Sequence, residues 1–198
     1  MQSDNTEFSE LEIKYDATGT SLLEFERTLN LMTHVTDKVQ VEGEDFYYSQ
    51  GENVVRFRYP FNAEGAELTV KVRKSKDSIQ DRHEVDLPLG LVSPNQVDRF
   101  MELSGWKREC ALHKVASIYT IRTPGHPDVI LAYYIINGAK TFLEVEVEKS
   151  VLVSIEEAEK TLATWNWLLT RNLHKLTPIP NLSLYEYYTG KSYKVLNG

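Results

Sequence analysis

Residues 8–15 read Phe8-Ser-Glu10-Leu-Glu12-Ile-Lys14-Tyr15, and their alternation decides the fold. Successive residues of a strand face opposite sides, so Leu11, Ile13 and Tyr15 share one face while Glu10, Glu12 and Lys14 share the other. Taken alone, this is the pattern of a strand with one face in water. The same charged alternation returns in four further segments. Arg56 and Arg58 oppose Val55, Phe57 and Tyr59; Lys71 and Arg73 oppose Leu68, Val70 and Val72. Arg82, Glu84 and Asp86 oppose Val85 and Leu87; Glu144, Glu146 and Glu148 oppose Leu143, Val145 and Val147. The signs are segregated, with three glutamates on one strand and basic pairs on two others. Like charges held together cost free energy unless something of opposite sign neutralises them. Divalent cations do this for the glutamates and phosphates for the basic pairs. Hard carboxylate oxygens suit Mg²⁺ or Mn²⁺ rather than zinc. If the apolar faces pack outward against helices, the charged faces line a barrel whose interior is a polar tunnel.

Composition agrees with a folded domain. The 198 residues are 41% hydrophobic and 26% charged, enough for a sizeable core and contrary to wholesale disorder. The net charge of −7 comes without a block of Lys or Arg, so a nucleic-acid-coating surface is not expected. An acidic total still leaves room for a basic cavity. Cys110 is the single cysteine, which excludes a disulfide framework and a cysteine-based zinc site within one chain. The polar start of the chain and the lack of a long apolar run predict a cytoplasmic protein with no membrane partner.

Along the chain, strands are expected near 8–15, 38–48, 53–59, 67–74, 81–87, 106–122, 128–136 and 141–149. The fifth of these is expected to stop at Pro88. A helix is expected near 20–33, a short one from Ser93-Pro94 to about Gly105, and a long one from Ser154 to about Lys175. Glu157 completes a capping-box pattern with Ser154. A terminal helix, capped by Gly190, follows the prolines at 178 and 180. The expected fold is α+β: one domain over 1–198, an eight-stranded antiparallel β-barrel (tunnel) with flanking helices, those from about 154 packing on the barrel.

These segments resemble a known family. Glu10-Leu-Glu12-Ile-Lys14 resembles the ExExK motif of the CYTH superfamily, the triphosphate tunnel metalloenzymes. Asp45-Phe-Tyr47-Tyr resembles the family's D-x-Y strand, Val55-Arg56-Phe-Arg58 its R-x-R strand, and Leu68-Thr-Val-Lys71 its L-T-[LV]-K strand. Arg82-His-Glu84-Val-Asp86 and Phe142-Leu-Glu144-Val-Glu146 are similar to its R-x-E-x-[ED] and F-[LV]-E-[IV]-E segments. The six stand in family order across residues 8–148. The resemblance implies a metal-dependent tunnel that binds a triphosphate. It implies that Glu10, Glu12, Glu144 and Glu146 hold metal, and that Lys14, Arg56, Arg58, Lys71, Arg82 and Lys114 contact phosphate. Arg73 and Glu148 share the inward faces and extend the phosphate-binding and catalytic sets. Lys14, Glu84 and Glu148 are the implied catalytic groups.

The chain also departs from the family pattern. Ala116 stands where the strand carrying Lys114 has an arginine, Tyr134 where the next strand has an aspartate, and Ser49 in place of a common acidic residue. Three functions follow from the resemblance: a triphosphate hydrolase, a class IV-type adenylyl cyclase, and a nucleotide or polyphosphate binder that has lost part of its site. The expected partner is a small-molecule triphosphate or nucleotide, with nucleic acid entering only as an RNA 5′-triphosphate end, and the chain acting as monomer or homodimer. The five histidines lack metal-ligand spacing. Cys110 is expected to face the core, and Trp165, Trp167, Tyr185, Tyr187 and Tyr188 to pack the C-terminal helices, with base stacking as the functional alternative for one of them.

Overall fold

A computed structural model describes residues 11–62, 65–73, 82–147, 153–179 and 183–192; within these, the side chains of 71–73, 82–84 and 155 are outside the description. The strands are β1 (Leu11–Asp16), β2 (Asp37–Gln50), β3 (Asn53–Pro60), β4 (Ala66–Arg73), β5 (Arg82–Leu89), β6 (Lys107–Ile121), β7 (Val129–Ile136), β8 (Lys140–Val147) and β9 (Thr177–Ile179). The helices are α1 (Leu22–Met32), α2 (Pro94–Leu103), α3 (Ile155–Asn172) and α4 (Leu184–Thr189). The strands are hydrogen-bonded in the order β5-β4-β3-β2-β6-β7-β8-β1-β9. The class is therefore the expected α+β antiparallel one, but with nine strands among the described residues instead of eight. The added strand is residues 177–179, which pair with β1. Among the described residues β5 and β9 are the ends of the sheet, so its hydrogen bonding is not closed into a ring.

The chain divides into two compact units, residues 1–40 with 116–181 and residues 41–115 with 182–198, and the boundary falls inside β2 and β6. In the first, β1 pairs with β8 so that Leu11, Ile13 and Tyr15 stand opposite Val147, Val145 and Leu143. Directly opposed residues share a face. This face, joined by Val129, Leu131 and Tyr133 of β7, packs against Phe25 and Leu29 of α1 and Ala158, Leu162, Trp165 and Leu169 of α3. The helix residues recur at three- and four-residue steps and so form single stripes. Ser21 and Ser154 cap the two helices, each hydroxyl accepting from the backbone N–H three residues on. Glu156 and Glu157 in the first turn of α3 and Arg171 in its last complement the helix dipole.

In the second unit, Phe46, Tyr48, Val55, Phe57 and Ala66 pack against Val97 and Met101 of α2. Both arms of a capping box form at Ser93/Gln96 and again at Ser183/Glu186. Gly43 lies opposite Pro60, where a Cβ would meet the Tyr59 carbonyl oxygen at 2.4 Å, so only glycine allows β2 and β3 to approach there. β5 runs through Pro88 to Leu89 and does not stop before the proline as expected. An end strand tolerates the missing N–H that a central strand would need. A second expectation also fails on this hairpin: the apolar face of β4–β5 is not wholly covered, since Val85 and Leu87 are 66% and 56% exposed.

Candidate functional site

The charged residues of β1 and β8 meet in register. Glu12 stands opposite Glu146 and Lys14 opposite Glu144, on the face away from the helix-packed core. The Lys14 ammonium lies 2.6 Å from a Glu144 oxygen and 3.5 Å from a Glu12 oxygen. These are not groups in bulk water: the Lys14 side chain is 7% exposed and that of Glu12 11%. A buried ammonium held by two carboxylates is strongly coupled to both, because little solvent screens the attraction. β7 adds uncharged residues to the same face, with Ile130 opposite Glu146, Ala132 opposite Glu144, and Tyr134 opposite Phe142 and stacked on it at 5.5 Å. Of the three departures from the motifs, Tyr134 and Ala116 are buried and Ser49 is half-buried.

The second unit carries the complementary cluster. Arg58 donates from Nε and Nη2 to the two carboxylate oxygens of Asp45, at 2.9 and 3.2 Å. Arg56 donates from Nη2 to the Thr69 hydroxyl at 2.8 Å, and Glu67 lies 3.4 Å from the same nitrogen. Arg56 is 11% exposed at its side chain and Asp45 2% overall. Burial pushes the Asp45 carboxyl upward, but the charges of Arg58 and Arg56, the Arg58 hydrogen bond and Lys114 outweigh it and hold the group well below the usual carboxylate range. Arg58, itself disfavoured by burial and by Arg56, is held above its ordinary value by Asp45. Lys71 and Arg73 of β4 lie in register with Glu84 and Arg82 of β5, and for these four residues only the strand register is described. Glu10 and Glu148 lie outside the described residues.

The site set read from the sequence therefore divides. Glu12, Lys14, Glu144 and Glu146 come together on paired strands, as do Arg56, Arg58 and Lys114 around Asp45. Among the described residues no three His, Cys, Asp or Glu side chains form a ready metal cage. The donor type nevertheless suits a hard divalent cation, since Glu12 and Glu146 are cross-strand partners carrying carboxylate oxygens and a positive centre, the Lys14 ammonium, sits against Glu12 and Glu144. The sequence reading gave Asp45 and Thr69 no role in the site. Asp45 was open to discovery: counting outward along both arms from the turn at Gly51 pairs it with Arg58. Among the residues given no role in the site, Trp165 and Tyr185 are buried as expected, but Trp167 is 55% exposed. Cys110 is half-buried and not in the core, and burial, then Glu109, push its thiol up to about 11, away from nucleophilic use. Tyr185 packs on the Tyr47 ring at 5.8 Å.

Neither a protein-family model nor a curated protein sequence matches the chain. Solved structures do. A conserved hypothetical protein from Pyrococcus furiosus superposes with a TM-score of 0.65 at 24% identity, over 86% of this chain and 96% of that one. A candidate adenylate cyclase from Vibrio parahaemolyticus gives 0.59 at 16% identity, over 91% and 97%. A candidate adenylyl cyclase from Hippeastrum, described as having a dominant triphosphatase activity, gives 0.57 at 11% identity, over 92% and 95%. The chain has the fold of these proteins.

Proposed function

We propose that this protein is a divalent-metal-dependent enzyme that hydrolyses a triphosphate, whether inorganic, thiamine or nucleoside. One observation carries the reading: Glu12, Lys14, Glu144 and Arg56, on the charged faces of β1, β8 and β3, are largely withdrawn from water, where a merely solvated sheet face would expose them. Withdrawing like charges from water is costly unless a ligand of opposite charge rewards it. Arg56, Arg58 and Lys114, with Lys71, Arg73 and Arg82, would bind phosphate oxygens, the guanidinium groups in bidentate fashion. Glu12, Glu144 and Glu146, with Glu10, would hold Mg²⁺ or Mn²⁺, which when bound neutralises triphosphate charge. In the reaction, water attacks the terminal phosphorus, the bond to the bridging oxygen breaks, and orthophosphate is released. Lys14 and the arginines stabilise the charge that builds on the phosphoryl oxygens as the bond breaks. Glu84 and Glu148 are the proposed acid–base groups that orient the water.

The Vibrio and Hippeastrum proteins share the fold, so adenylyl cyclisation is the second reaction to test. Incubation with tripolyphosphate or with ATP, each with Mg²⁺ or Mn²⁺, separates the readings. Orthophosphate is the expected product. Cyclic AMP with pyrophosphate assigns the cyclase, binding without turnover assigns a binder, and no binding of either compound removes the proposal.

A further inference from the structure

We infer that Asp45 is a positioning residue for anion binding, holding the Arg58 guanidinium by one edge so that its other edge is presented to a phosphate oxygen. The inference rests on the triphosphate reading above and adds to it a residue that touches no substrate. Its basis is the geometry of the pair. Both bonds use the Nε and Nη2 side of the fork, and Nη1 bonds to no described residue. A carboxylate accepting side-on in this way fixes the plane of the guanidinium, which a single contact would leave free to turn. Asp45 accepts from Arg58 through both of its oxygens and is 2% exposed, so it has no open path to substrate.

The surroundings give the pair its purpose. Arg56 and Lys114 act on the same buried carboxylate, so Asp45 is an anion about which three cations gather. Arg56 is oriented separately, by Thr69. Asp45 is held in place by the close approach of β2 and β3 at Gly43, two residues away on the same strand. Cations tethered in this way leave less ordering to be done on binding.

The sign of one substitution tests this. Asp45→Asn adds a net positive charge beside the cations, so electrostatics alone would tighten anion binding. Positioning predicts the opposite: tripolyphosphate binding, titrated calorimetrically with Mn²⁺ present, weakens by about tenfold or more. In an Arg58→Lys background the same change weakens binding by less than about threefold, since an ammonium has no fork to orient. Asp45→Glu keeps the charge but displaces the carboxylate, and it too weakens binding; this variant stands in if Asp45→Asn does not fold. Unchanged or tighter binding by Asp45→Asn, with wild type binding well, overturns the inference and leaves the functional reading intact. An undiminished loss in the Arg58→Lys background overturns it as well, because the effect then does not pass through Arg58. Absence of tripolyphosphate binding by the wild type overturns both.

Discussion

The Lys14–Glu144 contact shows how much a single residue carries here. Both groups are mostly shielded from water, and at 2.6 Å Glu144 is nearer the ammonium than Glu12 is. Glu144→Gln leaves the ammonium with a neutral partner and Glu12 at 3.5 Å. The expected cost is about 2 kcal/mol in urea denaturation, with Lys14→Met relieving part of it in the double variant. Additive losses would show that the pair contributes nothing by pairing. Arg58→Ala is expected to cost on the order of 2 kcal/mol in tripolyphosphate affinity, where a solvated arginine would cost a few tenths at most. Asp45 also sets a pH dependence. Its folded pKa is depressed, so the stability it confers is fully present above the unfolded value near 4 and is lost as pH falls through the folded value. Acid unfolding followed by circular dichroism is expected to be steeper below about pH 4 in wild type than in Asp45→Asn. Superimposable acid limbs would contradict that linkage.

At the scale of elements, stability in the first unit depends on whether α1 and α3 keep their apolar stripes on the β1–β8–β7 face. Ser154→Ala removes the acceptor for the Glu157 N–H and is expected to lower stability by about 1 kcal/mol. Leu162→Ala empties a fully packed position between helix and sheet and is expected to cost about 2–5 kcal/mol. Comparing the two by thermal denaturation separates capping from packing; equal effects would mean that the helix is held by something other than its buried stripe. The periodicities of these elements were legible because helices and strands bury residues at different spacings. β9 was not, since three residues are too few to show a period and its pairing partner β1 is distant in the chain. The run of β5 through Pro88 was hidden for a similar reason, because only its place at the end of the sheet excuses the missing N–H.

For the molecule as a whole, the proposal makes a thermodynamic statement that no single variant can. A ligand that binds only the folded chain stabilises it by about 2.7 kcal/mol at a hundredfold excess over Kd. Tripolyphosphate together with Mn²⁺ is therefore expected to raise the unfolding midpoint by several degrees, and more than either alone. Orthophosphate at equal ionic strength is expected to give a much smaller rise. A midpoint indifferent to tripolyphosphate and metal would leave the likeness to known structures as one of fold.

The sequence by itself determined the strand faces. A side-chain period of two assigns Glu12, Lys14, Arg56, Arg58, Glu144 and Glu146 to charged faces without knowledge of any partner, and six motifs in order pointed to the fold. It could not determine which charge meets which. The Lys14–Glu144 contact depends on the register between β1 and β8, strands far apart in the chain. The division of Arg58 to Asp45 and Arg56 to Thr69 depends on β2, β3 and β4 lying side by side. Alternation fixes the direction of a side chain, which is local; the distance between two charges and the water excluded around them are set by the pairing of remote strands, which is tertiary.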